Sequence, residues 1–103
     1  MRAIDNMVKT AIINKSYMSK QNTIVTFADP ISKNNVSIYL HGHLIFSFNY
    51  ETKKFSWNDC GYATSITQSR LNACFSAIKE MHPSIKFKYI RKNNFGKVVQ
   101  IND

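Results

Sequence analysis

Val36-Ser37-Ile38-Tyr39-Leu40-His41-Gly42-His43-Leu44-Ile45-Phe46-Ser47-Phe48-Asn49-Tyr50 is the stretch whose reading decides the fold. Val36, Ile38 and Leu40 alternate with Ser37, Tyr39 and His41; after Gly42, Leu44, Phe46, Phe48 and Tyr50 alternate with Ile45, Ser47 and Asn49. A period of two puts successive side chains on opposite faces, so both halves read as half-buried β-strands. Gly42 at the join is either a tight turn or a bulge inside one long bent strand.

Outward from this stretch, Thr23-Ile24-Val25-Thr26-Phe27 reads as another strand, because β-branched residues pack well on a pleated surface. Asp29-Pro30 breaks it, and Ser32-Lys33-Asn34-Asn35 reads as a turn. On the other side, Glu51-Thr52-Lys53-Lys54 is a turn and Phe55-Ser56-Trp57 a strand, which together predict an antiparallel hairpin. Residues 1–8 read as a flexible leader. Residues 9–17 read as a short strand, with Ala11 and Ile13 set against Ile12.

The period then changes to that of a helix. Leu71, Cys74, Phe75, Ile78 and Met81 recur at i, i+3, i+4, i+7 and i+10, along one stripe. Thr64 or Ser65 is the expected N-cap, and Ser65 with Gln68 has the spacing of a capping box. Pro83 stops the helix near residue 82, leaving Asn72, Ser76, Lys79 and Glu80 on the wet face. Beyond it, Ile85, Phe87 and Tyr89 alternate with Lys86, Lys88 and Ile90; Asn93-Asn94-Phe95-Gly96 reads as a turn and residues 97–101 as a last strand. The expectation is an α+β fold. A small antiparallel β-sheet of about five to six strands carries one α-helix, residues 65–82, on one face, followed by a C-terminal β-hairpin. Residues 9–103 form a single domain.

A chain of 103 residues with 44% hydrophobic and 13% aromatic residues can bury one modest core. Fourteen Lys and Arg against six Asp and Glu leave a net charge of +8. That excess suits a polyanionic partner, and it is equally what A+T-rich coding produces without selection for binding. The start of the chain lacks the apolar core of a signal peptide, and no apolar run approaches the roughly 20 residues of a membrane span. A reduced, intracellular protein with no membrane partner is therefore expected. Cys74 falls on the helix stripe as a small core residue, and pairing with Cys60 is not expected.

Catalytic chemistry is hard to assemble. His41 and His43 share a strand face, but no further ligand sits at metal spacing, so no metal and no cofactor are expected. Cys60 lies before a helix, where a thiolate gains, yet adjacent Asp59 opposes it. The acids show no local pair, and three glycines make no phosphate loop. The chain is expected not to be an enzyme.

Two binding candidates remain. Thr64, Ser65, Thr67 and Arg70 gather at a helix N-terminus, whose free N–H groups and partial positive charge suit a phosphate; the alternative is a well-capped helix whose polar side chains meet water. Lys79, Lys86, Lys88, Arg91, Lys92 and Lys97 face only Glu80 between residues 79 and 97. They form either a polyanion-binding surface or a solvated basic face.

Gly61-Tyr62-Ala63-Thr64-Ser65-Ile66-Thr67-Gln68-Ser69-Arg70-Leu71-Asn72, within residues 40–75, resembles a group of small bacteriophage proteins. Their recurring block is Gly-aromatic-x-Thr-x-Thr-x-x-Arg-Leu-Asn opening a helix; this chain departs from it either by one extra position between the hydroxyl residues or by Ile66 where a threonine is usual. The resemblance implies a phage accessory protein working in the cytoplasm of the infected host cell, and it carries no activity with it. The expected function is non-catalytic binding of a nucleic acid or a host nucleoprotein complex through the basic surface. The alternative is inhibition of a host or defence protein, anti-CRISPR in type, with Tyr39, Tyr50, Trp57 or Tyr62 as anchors. Exposed strand edges would also allow a homodimer.

Overall fold

The computed structural model describes residues 2–58, 64–92 and 95–102, with side chains through Ile85 and backbone alone after it. A helix α1 (Ala3–Asn14) opens the chain. A five-stranded antiparallel meander follows: β1 (Met18–Lys20), β2 (Thr23–Phe27), β3 (Asn35–Leu40), β4 (His43–Asn49) and β5 (Phe55–Trp57). Next come helix α2 (Ser65–Met81) and a two-stranded hairpin of β6 (Ile85–Lys92) and β7 (Phe95–Asn102).

The α+β class and the antiparallel sheet stand, but two helices cover the sheet rather than one. Residues 3–14 are neither a leader nor a strand. Ile4, Val8, Ala11 and Ile12 are buried at i, i+4, i+7 and i+8, a helical stripe that starts inside the segment read as loose. This stripe packs with Leu71, Cys74, Phe75 and Ile78 of α2 over one face of the sheet. That face carries Val25 and Phe27 of β2, Val36, Ile38 and Leu40 of β3, and Phe46 and Phe48 of β4.

The strand register places the other face in the open. Ile24, Tyr39 and Leu44 pair across β2, β3 and β4, and Ser37, Ser47 and Ser56 across β3, β4 and β5. Period two alone sets Leu44 beside Phe46; the structure puts it on the opposite face. Ile38 pairs Phe46 while Tyr39 pairs Leu44, so Ile45 is an extra residue in β4. This bulge turns Ile45 into the core and leaves Leu44 exposed. His41-Gly42 is a two-residue hairpin turn with φ of 51° and 79°, the positive angles that a type I′ connection needs. The C-terminal hairpin is longer than read from the sequence: β7 begins at Phe95, and Gly96 pairs Arg91 within the ladder.

Candidate functional site

Thr64 caps α2, its hydroxyl accepting the backbone N–H of Thr67 at 3.2 Å. The two threonine hydroxyls lie 3.1 Å apart. Ser65 is therefore helical and exposed, and the Ser65–Gln68 capping box does not form. Thr67, the second threonine of the block, is buried.

Arg70 is not on the surface. It is 4% exposed and points toward α1 and the sheet. One guanidinium nitrogen, Nη1, binds Asp5 Oδ1 at 2.7 Å, and Nε donates to Thr23 Oγ1 at 3.1 Å. Ser69 Oγ donates to the second oxygen of Asp5. Asp5 itself has no exposed surface. The network joins both helices to the first residue of β2. A buried charge is tolerated where it is paired and hydrogen-bonded; Asp5 meets both conditions, since each carboxylate oxygen accepts a hydrogen bond and one of them faces the guanidinium. The guanidinium that sequence reading offered to a phosphate is thus committed inside the fold. Its partner Asp5 went unread because it lay in the segment taken as a leader.

Lys79 is also engaged: its ammonium donates to the carbonyls of Pro83 at 2.9 Å and Ile85 at 2.8 Å, tying α2 to the start of β6. Lys86, Lys88, Arg91 and Lys92 lie along β6 and Lys97 on β7. Their side chains lie outside the described residues, as do Asp59, Cys60, Gly61 and Tyr62. Burial drives the Cys74 thiol to a higher pKa, with the charge of Asp5 adding to it, so this sulfur is an unreactive core atom.

A second polar region forms where no sequence cluster exists. Tyr50 follows β4, packs edge-on against Phe48 with ring centroids 5.1 Å apart, and donates its hydroxyl to the carbonyl of Ile12 at 2.5 Å. Burial pushes the Tyr50 hydroxyl to a higher pKa. Lys15, at the C-cap of α1, sets its ammonium 4.5 Å from the Tyr50 ring centroid. Lys33 donates to the carbonyl of Lys15 at 3.0 Å and lies 5.1 Å from the centroid of Tyr17. Tyr50 donates its backbone N–H to Asn34, beside Lys33. Lys53 closes the turn after Tyr50. His82, at the end of α2, is held below its usual pKa, first by burial and then by the charge of Lys53. Among the described residues, Asp29 and Glu51 lie in the same turns as Lys33 and Lys53. The N–H of Ile31 chiefly holds Asp29 below the ordinary carboxylate range, and Glu51 accepts from Asn34.

The remaining sequence candidates separate. His41 lies in the turn and His43 opens β4. Among the described residues no three His, Cys, Asp or Glu side chains come together as a metal ion would need. Trp57 packs edge-on against Phe75 at 6.0 Å, inward rather than as a surface anchor. No described helix is long and apolar enough to cross a membrane.

The fold and its two polar ends define a small basic α+β protein with charge locked inside at one end and displayed at the other. The family model for the Kyanoviridae Gp96 protein matches residues 1–100, and the chain belongs to that phage protein family. No curated protein and no solved structure matches it.

Proposed function

We propose that this phage-encoded protein is a non-catalytic accessory protein that binds a nucleic acid or a host nucleoprotein complex through its basic surface, in the cytoplasm of the infected cell. The observation that carries the reading is how the acids are engaged. Asp5 pairs Arg70 and Glu80 pairs Lys9 at 3.0 Å, whereas Lys15, Lys20, Lys33, Lys53 and Lys54 have no carboxylate partner among the described residues. With a net charge of +8, the protein carries a positive field that attracts phosphates without reading bases. Thr64, Thr67 and Arg70 leave the binding role to the lysines. Titrating labelled mixed-sequence DNA at rising salt tests this: affinity falls steeply as salt rises if phosphates are neutralised. A salt-independent affinity, or none, defeats the reading.

The open sheet face favours a second reading, inhibition of a host or defence protein. There Ile24 and Leu44, 41% and 45% exposed, flank Tyr39 on neighbouring strands, an uncharged apolar row on a strongly charged molecule. A host protein that stays bound after nuclease and moderate salt, and is lost on Tyr39→Ala, supports this reading over the first.

A further inference from the structure

Lys15, Lys33 and Lys53 share a backbone feature that their sequence positions do not announce. Each has a positive φ, of 54°, 50° and 61°. Each ends a turn by bonding its own N–H backward: Lys33 to the carbonyl of Asp29 at 2.9 Å, Lys53 to that of Asn49 at 2.8 Å, and Lys15 to that of Ile12 at 3.4 Å. The two loop turns are built alike, since Asp29 accepts the N–H of Ile31 through its side chain and Asn49 that of Glu51. The left-handed region crowds a Cβ, so glycine fits it best and asparagine next. Asparagine is abundant in this chain and takes such a position at residue 22, but at none of these three. Lys33 caps the end of α1 through the carbonyl of Lys15, which accounts for that lysine in part; Lys53 caps no helix among the described residues. The backbone disfavours lysine at all three positions; the contacts of Lys33 with the Lys15 carbonyl and the Tyr17 ring, and of Lys15 with the Tyr50 ring, offset part of that cost, and none of the three ammonium groups is paired with a carboxylate among the described residues.

We propose that Lys15, Lys33 and Lys53, arranged around Tyr50, form the surface that contacts the phosphate backbone of a nucleic acid. The inference rests on the nucleic-acid reading above and moves the contact from the start of α2 to the end of the fold where both helices finish. The ammonium of Lys33 keeps donors beyond the one given to Lys15. Lys15 lies over an aromatic face, and Lys53 is exposed, close enough to His82 to depress its protonation. Such contacts position a polyanion and carry no base information.

The test uses the full chain and a labelled duplex DNA of mixed sequence. Asparagine keeps the left-handed turns and removes the charge. The triple variant Lys15→Asn, Lys33→Asn, Lys53→Asn is expected to bind about tenfold more weakly at low salt. The slope of log affinity against log salt should flatten by about one for each lysine. Lys53→Asn alone, which breaks no side-chain hydrogen bond or ion pair among the described residues, gives a third of that effect in a chain that folds as before. A hairpin variant with Lys86, Lys88, Arg91 and Lys92 changed to Gln is the counterpart. If the triple variant keeps its affinity and slope while the hairpin variant loses both, the inference is overturned and the nucleic-acid reading stands. If the unaltered protein binds no DNA, both fall together.

Discussion

The two polar ends of this molecule invert what their sequences suggest. Residues 64–70 crowd hydroxyls and an arginine into one helix start, yet the structure directs Thr67 and Arg70 inward. Lys15, Lys33 and Lys53 are scattered through three unremarkable turns, yet the fold gathers them around Tyr50. A dense polar cluster in sequence can satisfy itself, because its groups reach one another and a single buried partner. Dispersed cations cannot, and they come together only through long-range packing. Density in sequence therefore marks the internal network here, and dispersion marks the cations left without a carboxylate among the described residues.

The comparison breaks most visibly at Asp5. Asp5→Ala leaves Arg70 buried without a counter-charge and is expected to cost about 3–5 kcal/mol in urea unfolding. Replacing both partners by apolar residues of similar size should recover most of that loss, because the desolvation of both charges disappears with them. If Asp5→Ala were neutral instead, Arg70 would be free to serve a ligand, and the contrast between the two ends would fail. Thr64→Ala, which removes the cap of α2, is expected to cost about 1 kcal/mol by the same measurement, with DNA affinity unchanged.

The opposite end should respond with the opposite sign. Lys53→Gly relieves a left-handed backbone and is expected to gain up to about 1 kcal/mol, while weakening DNA binding. A loss of stability there would mean that the lysine serves the fold, as Arg70 does. The smallest effect concerns His82. Its folded pKa lies below the unfolded value, so the unfolded chain binds more protons between the two. The stability contributed by neutral His82 is present above the unfolded value, and is lost as pH falls from there through the folded one. Lys53→Asn removes one of the two causes, so the His82 resonance in a proton NMR titration should shift to a higher midpoint.

How far the sequence reached differs in the same way. The strands and α2 were readable because their periods are local: Val36, Ile38 and Leu40 are buried as alternation requires, and Leu71, Cys74, Phe75 and Ile78 as a helical stripe requires. The stripe of α1 was present in Ile4, Val8 and Ile12, but starting the reading at residue 9 cut it in half. The bulge at Ile45 was hidden, because one extra residue in an apolar run leaves no trace until a partner strand sets the register. The basic end was least legible. Its members come from three separate turns, and a lysine gives no sequence sign that its backbone angle is positive.

The link between Asp5 and Arg70 also sets an order of events during synthesis. The carboxylate leaves the ribosome 65 positions ahead of the guanidinium that it needs. Until Arg70 is made, burial of Asp5 leaves its charge unpaired, and α1, which carries it beside the apolar stripe, lacks part of the surface it docks on. Closure of α1 over the sheet before α2 emerges would bury that carboxylate without its counter-charge. A nascent chain cut short before residue 70 therefore carries an unmatched charge that opposes burial of α1.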